Sequence, residues 1–475
     1  MKVSSPTLDA TQSACVALFP LVLLVAGASL LQGCARAPLN ARLGRSLTEM
    51  EVNRERALPA VKSEDLTLVL SFSGGGVRAT ALAYGVLETL AKTKVPDATG
   101  SHRLLDDVNL ITSVSGGSFA AAYYGLYGDR IFTDFEHGFL KRRVGRALLL
   151  RLLYPWNWPR LFLTSFGRSD IAANLYDDLL FHGATFGDIY DHPGPMIAIQ
   201  ATDLAEGGRF GFSQYWFARI CSDLSQFPVS RAVAASSAFP IVFSPVVLRN
   251  YAGSCDYREP PWVSEALAGG PEGGRLYQNA KHLHAYADAT AHPLIYLIDG
   301  GIADNLGLHR VLDAVTNRRS LKALLRDRGV ENAHRFAFII VNAQTPPAGR
   351  WGIANAAPGL VTMLDAVSSV QINRYNFETI ELLRRSIDDW AKEYKTLGGH
   401  GFESYVVEVS FEQLTDDAER QSFAGIPTAF DIPDGEVDRL RAVAHRILLE
   451  SADFQLLLHD LGATIEPGQA VERHP

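Results

Sequence analysis

The chain has 475 residues, of which 47% are hydrophobic and 20% are charged, a composition typical of a globular protein with a large core. Its net charge of -8 argues against nucleic acid as the main partner, because nucleic-acid binding depends on basic surface. The chain contains no fixed-period repeat and no low-complexity tract, and nothing in it indicates a protein partner.

The N-terminal segment, residues 1–33, is typical of a signal peptide. Its core, "VALFPLVLLVAGASLL", is an uncharged apolar stretch that is short for a membrane span. The following "LQGC" resembles the bacterial lipoprotein processing box, which implies cleavage before Cys34 and acylation of Cys34. Ala35 after that cysteine favours the outer membrane, with the protein facing the periplasm. A plain signal peptide and a single anchor helix are the alternatives.

Residues 34–65 are polar and are interpreted as a tether, after which two strand–turn–helix units follow. In the first, the apolar run "LTLVLSF" precedes a helix with Leu82, Val86, Leu87 and Leu90 at helical spacing. In the second, a strand from Val108 leads through small residues into a helix from about residue 118. Repeated units of this kind predict an α/β fold with a mainly parallel sheet.

Three further apolar runs are predicted to be central parallel strands covered on both faces: "PMIAIQATDL", "PLIYLIDGG" and "RFAFIIVNAQ". After residue 345 the sequence predicts a mainly helical stretch over 359–395, one strand at "YVVEVSF", and a last helix. The apolar face of that helix consists of Val437, Leu440, Val443, Ile447 and Leu448. This part is either a separate domain or packs on the sheet, which we favour because no linker precedes it.

The cysteines outside the signal segment and the lipidation box are Cys221 and Cys255. An exported protein permits a disulfide, so these two residues either pair or remain buried thiols. No Cys/His cluster has the spacing of a metal site, so the sequence predicts no metal.

The segment "SVSGGS", residues 113–118, lies at a strand-to-helix turn and contains a candidate nucleophile, Ser115. Such a turn exposes the hydroxyl and needs small neighbours, here Ser113 and Gly117, although glycine is usual at both positions. The start of the next helix stabilises developing negative charge. A Gly/Ser linker turn without chemistry is the alternative.

A glycine loop, "SGGGVRA", precedes this turn and contains Gly74, Gly75, Gly76 and Arg78. Backbone amides in such a loop form either an oxyanion hole or a phosphate cradle. The phosphate cradle is the weaker hypothesis, because the loop has neither GxGxxG nor a closing Lys-Ser/Thr. Arg78 either locks the loop, holds a phosphate headgroup, or is a solvated surface charge.

Asp299, in "LIDGG", is the candidate base for the serine. It ends an apolar strand, and the two glycines after it allow another backbone to approach. A carboxylate that acts directly on the hydroxyl needs no imidazole, whereas a triad would need a histidine. His292 and His309 flank Asp299 in sequence, but neither lies at a strand end or in a glycine turn.

The motifs "GGGVR", "SVSGGS" and "DGG", in this order, resemble those of the patatin-like phospholipases. The segments "ATDLAEGGRFGFS" and "SRAVAASSAFPIVFSPV" resemble the family's sequence between nucleophile and aspartate. The resemblance implies a three-layer α/β/α fold, Ser115 as nucleophile, Asp299 as base, and an oxyanion hole at Gly74, Gly75 and Gly76. We therefore expect a catalytic domain over 66–345 with a helical cap insertion at about 130–180, and a C-terminal extension over 346–475.

Within the predicted cap, basic residues alternate with leucine and tryptophan. They are Lys141, Arg142, Arg143, Arg146 and Arg151, next to leucines 148–150, Trp156 and Trp158. This mixture suits a membrane surface that supplies the lipid. A helix packed on the body with a solvated basic face is the alternative.

The sequence therefore predicts a serine acyl hydrolase that cleaves carboxylic esters of lipids, of phospholipase A or lysophospholipase type, through an acyl-enzyme. This scheme requires no cofactor. The alternatives are a Ser-His-Asp esterase, an acyltransferase on the same fold, and a non-catalytic lipid-binding lipoprotein.

Overall fold

The computed structural model describes residues 40–44, 63–98, 100–163, 166–240, 242–345, 360–397 and 401–465. The predicted signal peptide and Cys34 lie outside these residues. Among the described residues, no helix is both long enough and apolar enough to cross a bilayer.

A mainly parallel sheet of eight strands forms the centre of the molecule. The strands are β1 Leu66–Phe72, β4 Val108–Val114, β5 Met196–Asp203, β6 Arg209–Phe212, β7 Val246–Arg249, β8 Leu294–Asp299, β9 Arg335–Asn342 and β10 Glu403–Ser410. Their order is β10-β9-β1-β4-β5-β8-β7, with β6 paired to β5. The predicted strands at 66–72, 108–114 and 335–342 are confirmed as parallel strands, and in the sheet β1 lies between β4 and β9.

Helices cover both faces of this sheet. They are α1 Gly76–Lys92, α2 Gly116–Tyr127, α3 Val144–Leu153, α4 Trp158–Leu163, α5 Arg168–Tyr176, α6 Phe186–Asp191, α7 Gln214–Arg219, α8 Val229–Ser236, α9 Pro261–Ala268, α10 Gly274–Ala285, α11 Gly301–Asp304, α12 His309–Thr316, α13 Leu321–Asp327, α14 Leu360–Thr396, α15 Asp417–Ala424, α16 Asp434–Glu450 and α17 Ala452–Asp460. Alternate residues of β1 enter two different cores, Leu68 on one face and Val69 on the other. The predicted three-layer α/β/α architecture is confirmed.

Strand β8, which ends at Asp299, is the main departure from the predicted topology. It pairs antiparallel with β5, with Asp299 opposite Ala201, and β7 pairs antiparallel with β8. The prediction of a parallel strand here was wrong. An apolar run indicates that a strand is buried on both faces, but it does not indicate whether the strand runs parallel or antiparallel to its neighbours. The antiparallel arrangement places the end of β8 beside the C-terminal half of β5.

The residues after 345 join the same sheet. Strand β10 pairs in parallel with β9 over its full length. Helix α16 packs against α1 so closely that a side chain on Gly85 would meet the backbone oxygen of Arg441 at 2.7 Å. Arg441 also donates two hydrogen bonds to Glu88, at 3.0 and 2.8 Å. The apolar face predicted for α16 is buried as expected.

A small three-stranded sheet was not predicted. It consists of β2 Thr93–Asp97, β3 Gly100–Arg103 and β11 Thr464–Ile465. These segments are short and polar, so they lack the apolar periodicity that identifies a strand.

Residues 40–44, which belong to the predicted tether, pack on the body. Leu43 is buried and its N–H donates to the carbonyl of Cys221 at 2.8 Å. Asn40 donates to Ser222 at 2.9 Å and accepts from the N–H of Arg249 at 2.7 Å. This stretch lies next to a disulfide between Cys221 and Cys255, whose Cα atoms are 5.6 Å apart. At residues 40–44 the chain is therefore docked on the folded body.

Candidate active site

The turn at Ser115 connects β4 to α2 in an unusual backbone conformation. Ser115 has φ 48° and ψ -118°, a region that a residue with a side chain rarely adopts. A Cβ on Gly116 would fall 2.1 Å from the Gly76 oxygen, and one on Gly117 would fall 2.6 Å from the Phe72 Cβ. Only glycine fits at these two positions, so the small residues of "SVSGGS" are required by packing.

Ser113, which replaces the usual glycine of this turn, is the last but one residue of β4 and is fully buried. Among the described residues its hydroxyl has no hydrogen-bond partner. The ladder continues through it, since Ser113 is in register with Phe72 on one side and with Ile199 on the other. Serine at this position is therefore compatible with the turn.

Asp299 and Ser115 meet across β5. The Ser115 hydroxyl donates to Asp299 Oδ2 at 2.9 Å, although 184 positions separate the two residues in the chain. The other carboxylate oxygen, Oδ1, accepts from the N–H of Gly301 at 2.8 Å. Gly300 permits this approach, because a Cβ there would meet the Gln200 oxygen at 2.5 Å. The two glycines thus allow the end of β8 to lie against β5.

The environment of Asp299 favours a carboxyl that exchanges its proton near neutral pH. Burial raises the pKa of Asp299 from 3.8 to about 6, and the hydrogen bonds from Gly301 and Ser115 partly oppose that increase. A carboxyl with such a pKa can accept a proton from a hydroxyl and return it within one reaction cycle.

In the described part of the chain, no histidine ring forms a hydrogen bond with Ser115 or Asp299. His309 instead contacts Arg275, and its Nε2 lies 2.8 Å from the Tyr375 hydroxyl. His292 lies 3.7 Å from Glu206. The two histidines that flank Asp299 in sequence therefore have partners elsewhere.

The glycine loop contains one amide that is already bonded. The N–H of Gly74 donates to both the backbone and the side-chain oxygen of Asn305, each at 3.2 Å. Gly76 opens α1 and Gly116 opens α2, so their N–H groups have no partner within the helices. The two groups are neighbours, because a Cβ on Gly116 would lie 2.7 Å from the Gly76 nitrogen. The oxyanion hole predicted at Gly74, Gly75 and Gly76 stays a prediction, and within it the N–H of Gly74 is already bonded to Asn305.

Arg78 is buried and contacts protein groups. Its Nε donates to the Ala343 carbonyl at 3.0 Å, and its terminal nitrogens donate to the Ile426 carbonyl and, at 2.9 Å, to the Thr428 hydroxyl. Burial lowers the pKa of Arg78 to about 10. Of the three hypotheses for this residue, the structure favours the one in which it locks the loop.

Ser236 supports the nucleophile turn and was not identified from the sequence. Its hydroxyl accepts from the N–H of Ser115 at 2.8 Å, donates to the Gln200 carbonyl at 2.6 Å, and lies 3.1 Å from the Ser118 hydroxyl. Since Ser236 lies 121 positions after Ser115, no local pattern indicates this contact. The quoted run "SRAVAASSAF" contains it without distinguishing it from its neighbours.

Among the described residues, no group of three or more His, Cys, Asp or Glu side chains is arranged to hold a metal ion. The candidate site brings together the Ser115 hydroxyl and the buried Asp299 carboxylate, with Gly76 and Gly116 next to each other beside Ser115.

A strained serine at a strand-to-helix turn of a three-layer α/β/α fold, with a carboxylate brought to it from β8 across β5, is typical of the α/β esterase class. The family model "Patatin-like phospholipase" matches residues 70–312, which is half of the chain and includes the elements of this site. The chain therefore belongs to the patatin-like phospholipase family, whose members are lipid-hydrolysing esterases with lipid substrates.

Comparison with solved structures gives weaker likenesses. Human GIVD cytosolic phospholipase A2 has a TM-score of 0.42 and 14% identity, over 90% of this chain and 68% of that protein. VipD from Legionella pneumophila has a TM-score of 0.28 and 12% identity, over 86% of this chain and 71% of that protein. Likenesses of this size do not bear on mechanism or substrate. No curated protein matches the sequence.

Proposed function

We propose that this protein hydrolyses carboxylic esters of lipids with Ser115 as nucleophile and Asp299 as base. The observation that carries the proposal is the 2.9 Å hydrogen bond from the Ser115 hydroxyl to the Asp299 carboxylate. A serine hydroxyl is a weak nucleophile unless a neighbouring base removes its proton, and Asp299 is the base within reach.

In the first half of the reaction, Ser115 attacks the ester carbonyl while Asp299 accepts the hydroxyl proton. The proton then passes to the leaving alcohol, and the acyl group remains on Ser115. In the second half, Asp299 takes a proton from water, which attacks the acyl-enzyme carbonyl. The bond between the acyl carbon and the Ser115 oxygen then breaks, Asp299 returns the proton to that oxygen, and the fatty acid leaves. The raised pKa of Asp299 suits both transfers, because the carboxyl holds the proton only transiently.

The negative charge on the carbonyl oxygen needs donors that are fixed in advance. The amides of Gly76 and Gly116 fit this requirement, since both open helices and lie side by side. The start of a helix adds a favourable dipole at this point. Arg78 acts indirectly by holding the loop in which Gly76 lies.

The proposed substrates are phospholipids, lysophospholipids or neutral acyl esters presented by a membrane. The cap exposes apolar side chains to an unusual degree, with Trp156 76% and Leu150 61% exposed. Arg142, Arg143 and Arg146 are also exposed, and in the described residues they form no ion pair. Exposed tryptophan and leucine with unpaired arginines suit the surface of an anionic membrane.

We further propose that Cys34 anchors the protein to a bacterial membrane. The proposed location is the outer membrane, with the folded body facing the periplasm. Residue 40 is already docked on the body, so residues 35–39 alone would separate the lipid from the fold. Such a segment spans at most ~20 Å, which keeps the body close to the bilayer. Replacing Cys34 by Ala should move the protein from the membrane fraction to the soluble fraction.

Turnover by the purified chain tests the proposed chemistry. We expect release of fatty acid from phosphatidylglycerol vesicles and from a soluble p-nitrophenyl ester, and loss of both activities by at least a factor of about 1000 in Ser115→Ala and in Asp299→Asn. Ser113→Ala is the matched control, since Ser113 lies in the same turn but its hydroxyl has no partner among the described residues. Full activity in Ser115→Ala would exclude the proposal. A His→Ala variant that is folded and inactive would favour a Ser-His-Asp enzyme.

A further inference from the structure

A loop of the C-terminal extension lies over the glycine loop. We name residues 425–433, between α15 and α16, the C-terminal loop. It lies outside residues 70–312, the part that matches the family model. Its neighbours are the glycine loop, an aromatic cluster beside Ser115, and the cap.

The C-terminal loop is fixed to the glycine loop by several contacts. Arg78 donates to Ile426 and Thr428, and the N–H of Val77 donates to the Ala429 carbonyl at 3.0 Å. The two backbones are so close that a Cβ on Gly76 would meet the Ala429 oxygen at 2.6 Å. The position of the C-terminal loop is thus set directly by the segment proposed to hold the oxyanion.

Phe430 extends from this loop into an aromatic cluster beside the proposed dyad. Its ring centroid lies 6.3 Å from that of Phe119, 6.1 Å from that of Tyr176 and 6.0 Å from that of Phe243. Phe119 lies on α2, one helical turn after Ser115. Of these four rings Phe430 alone is partly exposed, so it lies at the solvent-facing edge of the cluster.

Tyr176 places this cluster close to the reacting groups. Its side chain is fully buried, and burial together with the nearby Asp299 carboxylate raises the pKa of Tyr176. An edge-to-face contact with Phe119, 4.8 Å between centroids, holds the Tyr176 ring. The cluster therefore offers an apolar wall along the first turns of α2, the helix that begins directly after Ser115. The acyl part of an ester bound at Ser115 would lie against this wall.

The next residue links the C-terminal loop to the cap. The Asp431 carboxylate accepts from the N–H of Gly145 at 2.7 Å and from the N–H of Arg146 at 2.9 Å. These amides open α3, so the contact is a helix cap supplied from another part of the chain. Phe430 is thus held on both sides, by the glycine loop and by the cap.

We infer that Phe430 is a specificity-determining residue that limits the length of the acyl chain accepted at Ser115. This inference rests on the proposed ester hydrolysis. A large ring at the border of an apolar site blocks further extension of a chain, and a smaller side chain there opens the space beyond it. The ring is fixed by its neighbours in the loop, so its effect is steric and selective for chain length.

The test compares kcat/KM for p-nitrophenyl butanoate, octanoate, dodecanoate and hexadecanoate. In Phe430→Ala we expect the ratio of the longest to the shortest ester to rise by roughly tenfold, and in Phe430→Trp to fall by a similar factor. Phe430→Leu, which preserves more of the packing, should move the ratio in the same direction as Phe430→Ala by a smaller factor.

Phe402→Ala is the matched control. Phe402 is also a half-buried phenylalanine of the C-terminal extension, but it stacks on Phe336 at 5.0 Å, near the start of β9. It should leave the ratio unchanged. A Phe430 series in which all four esters change by the same factor would overturn the inference. Failure of the proposed function has a different signature, because wild type would then be inactive on all four esters, or Ser115→Ala would remain active.

Discussion

Asp299 ends a strand in an apolar interior, and this position determines when its carboxyl is ionised. A general base must be deprotonated, and burial raises the pKa of Asp299 to about 6. We therefore expect kcat/KM for a soluble ester to rise as the pH increases through about 6 and then to level off. A pH series with circular dichroism at each point separates this effect from unfolding. A rate that stays constant as the pH falls well below 6 would contradict the assignment.

The same carboxylate is expected to destabilise the fold when it is ionised. Its pKa is raised above the value of 3.8 in an unfolded chain, so the folded state loses stability as the pH rises from 3.8 through about 6. The loss at neutral pH and above is on the order of 3 kcal/mol. Asp299→Asn should therefore unfold at a higher urea concentration than wild type at about pH 8, with the difference disappearing below about pH 4. A less stable variant at the higher pH would show that this reasoning is wrong.

At the residue scale, the sequence indicates the candidate reactive side chains better than it indicates the residues that contact them. Ser115 and Asp299 stand out because glycines and small residues leave a local pattern around each of them. Ser236 and Asn305 leave none, since they reach the Ser115 amide and the Gly74 amide from 121 and 231 positions away. Arg78 was identified as a candidate, but only its buried contacts distinguish a locked loop from a headgroup site.

In the part of the chain that the structure describes, the cap carries a concentrated group of exposed large apolar side chains. Leu149, Leu150, Leu153, Tyr154, Trp156 and Trp158 are its exposed large side chains. A double variant, Trp156→Ala with Trp158→Ala, should weaken binding to anionic vesicles by about tenfold or more and leave turnover of a soluble ester unchanged, because tryptophan favours the membrane interface.

Co-sedimentation with phosphatidylglycerol vesicles measures this binding. Leu456→Ala is a suitable control, as Leu456 is 52% exposed but lies on α17, outside the cap. Equal vesicle binding by wild type and the double variant would exclude the cap as the membrane surface. Equal loss in the control would show that the effect is not specific to the cap.

At the element scale, periodicity predicts a helix or strand well where one face is buried. All four apolar positions predicted for α1 are buried, because a helix that lies on a sheet needs a continuous stripe. Strand β8 shows the limit, since its composition matches that of a buried parallel strand while its direction depends on the connection before it. The sequence led us to expect a helical cap at about 130–180, but it did not indicate the contact of Asp431 with α3.

At the scale of the whole molecule, the C-terminal extension adds a strand beside β9 and covers one face of α1. Deleting residues 346–475 would uncover one edge of β9 and the face of α1 that packs on α16. A chain that ends at residue 345 should therefore be insoluble or lack a cooperative thermal transition, since a long exposed edge strand and an uncovered apolar face promote aggregation. Soluble yield and differential scanning calorimetry measure both properties. If this shorter chain melts cooperatively at the temperature of the full chain, the extension is an independent domain.

At the scale of the whole molecule, the order of the motifs carries most of the predictive information. One half of a parallel sheet is predicted by the succession of strand, glycine loop, helix, strand, serine turn and helix. The structure contains these elements in that arrangement. The order of motifs does not indicate which distant segments contact each other. Two examples are the contact of the C-terminal loop with Gly76 and the docking of residues 40–44 near the disulfide. Each contact forms between surfaces that come together only in the folded protein. The domain boundaries given from the sequence stay predictions.

The pairing of Ser115 with Asp299 is tested most directly by covalent labelling with a fluorophosphonate probe, followed by mass spectrometry of the labelled peptide. The probe reacts with a serine only when a base activates its hydroxyl. We predict one labelled residue, Ser115, with labelling lost in Ser115→Ala and slowed by at least about 100-fold in Asp299→Asn. Labelling at another serine, or unchanged labelling of Ser115 in Asp299→Asn, would contradict the account.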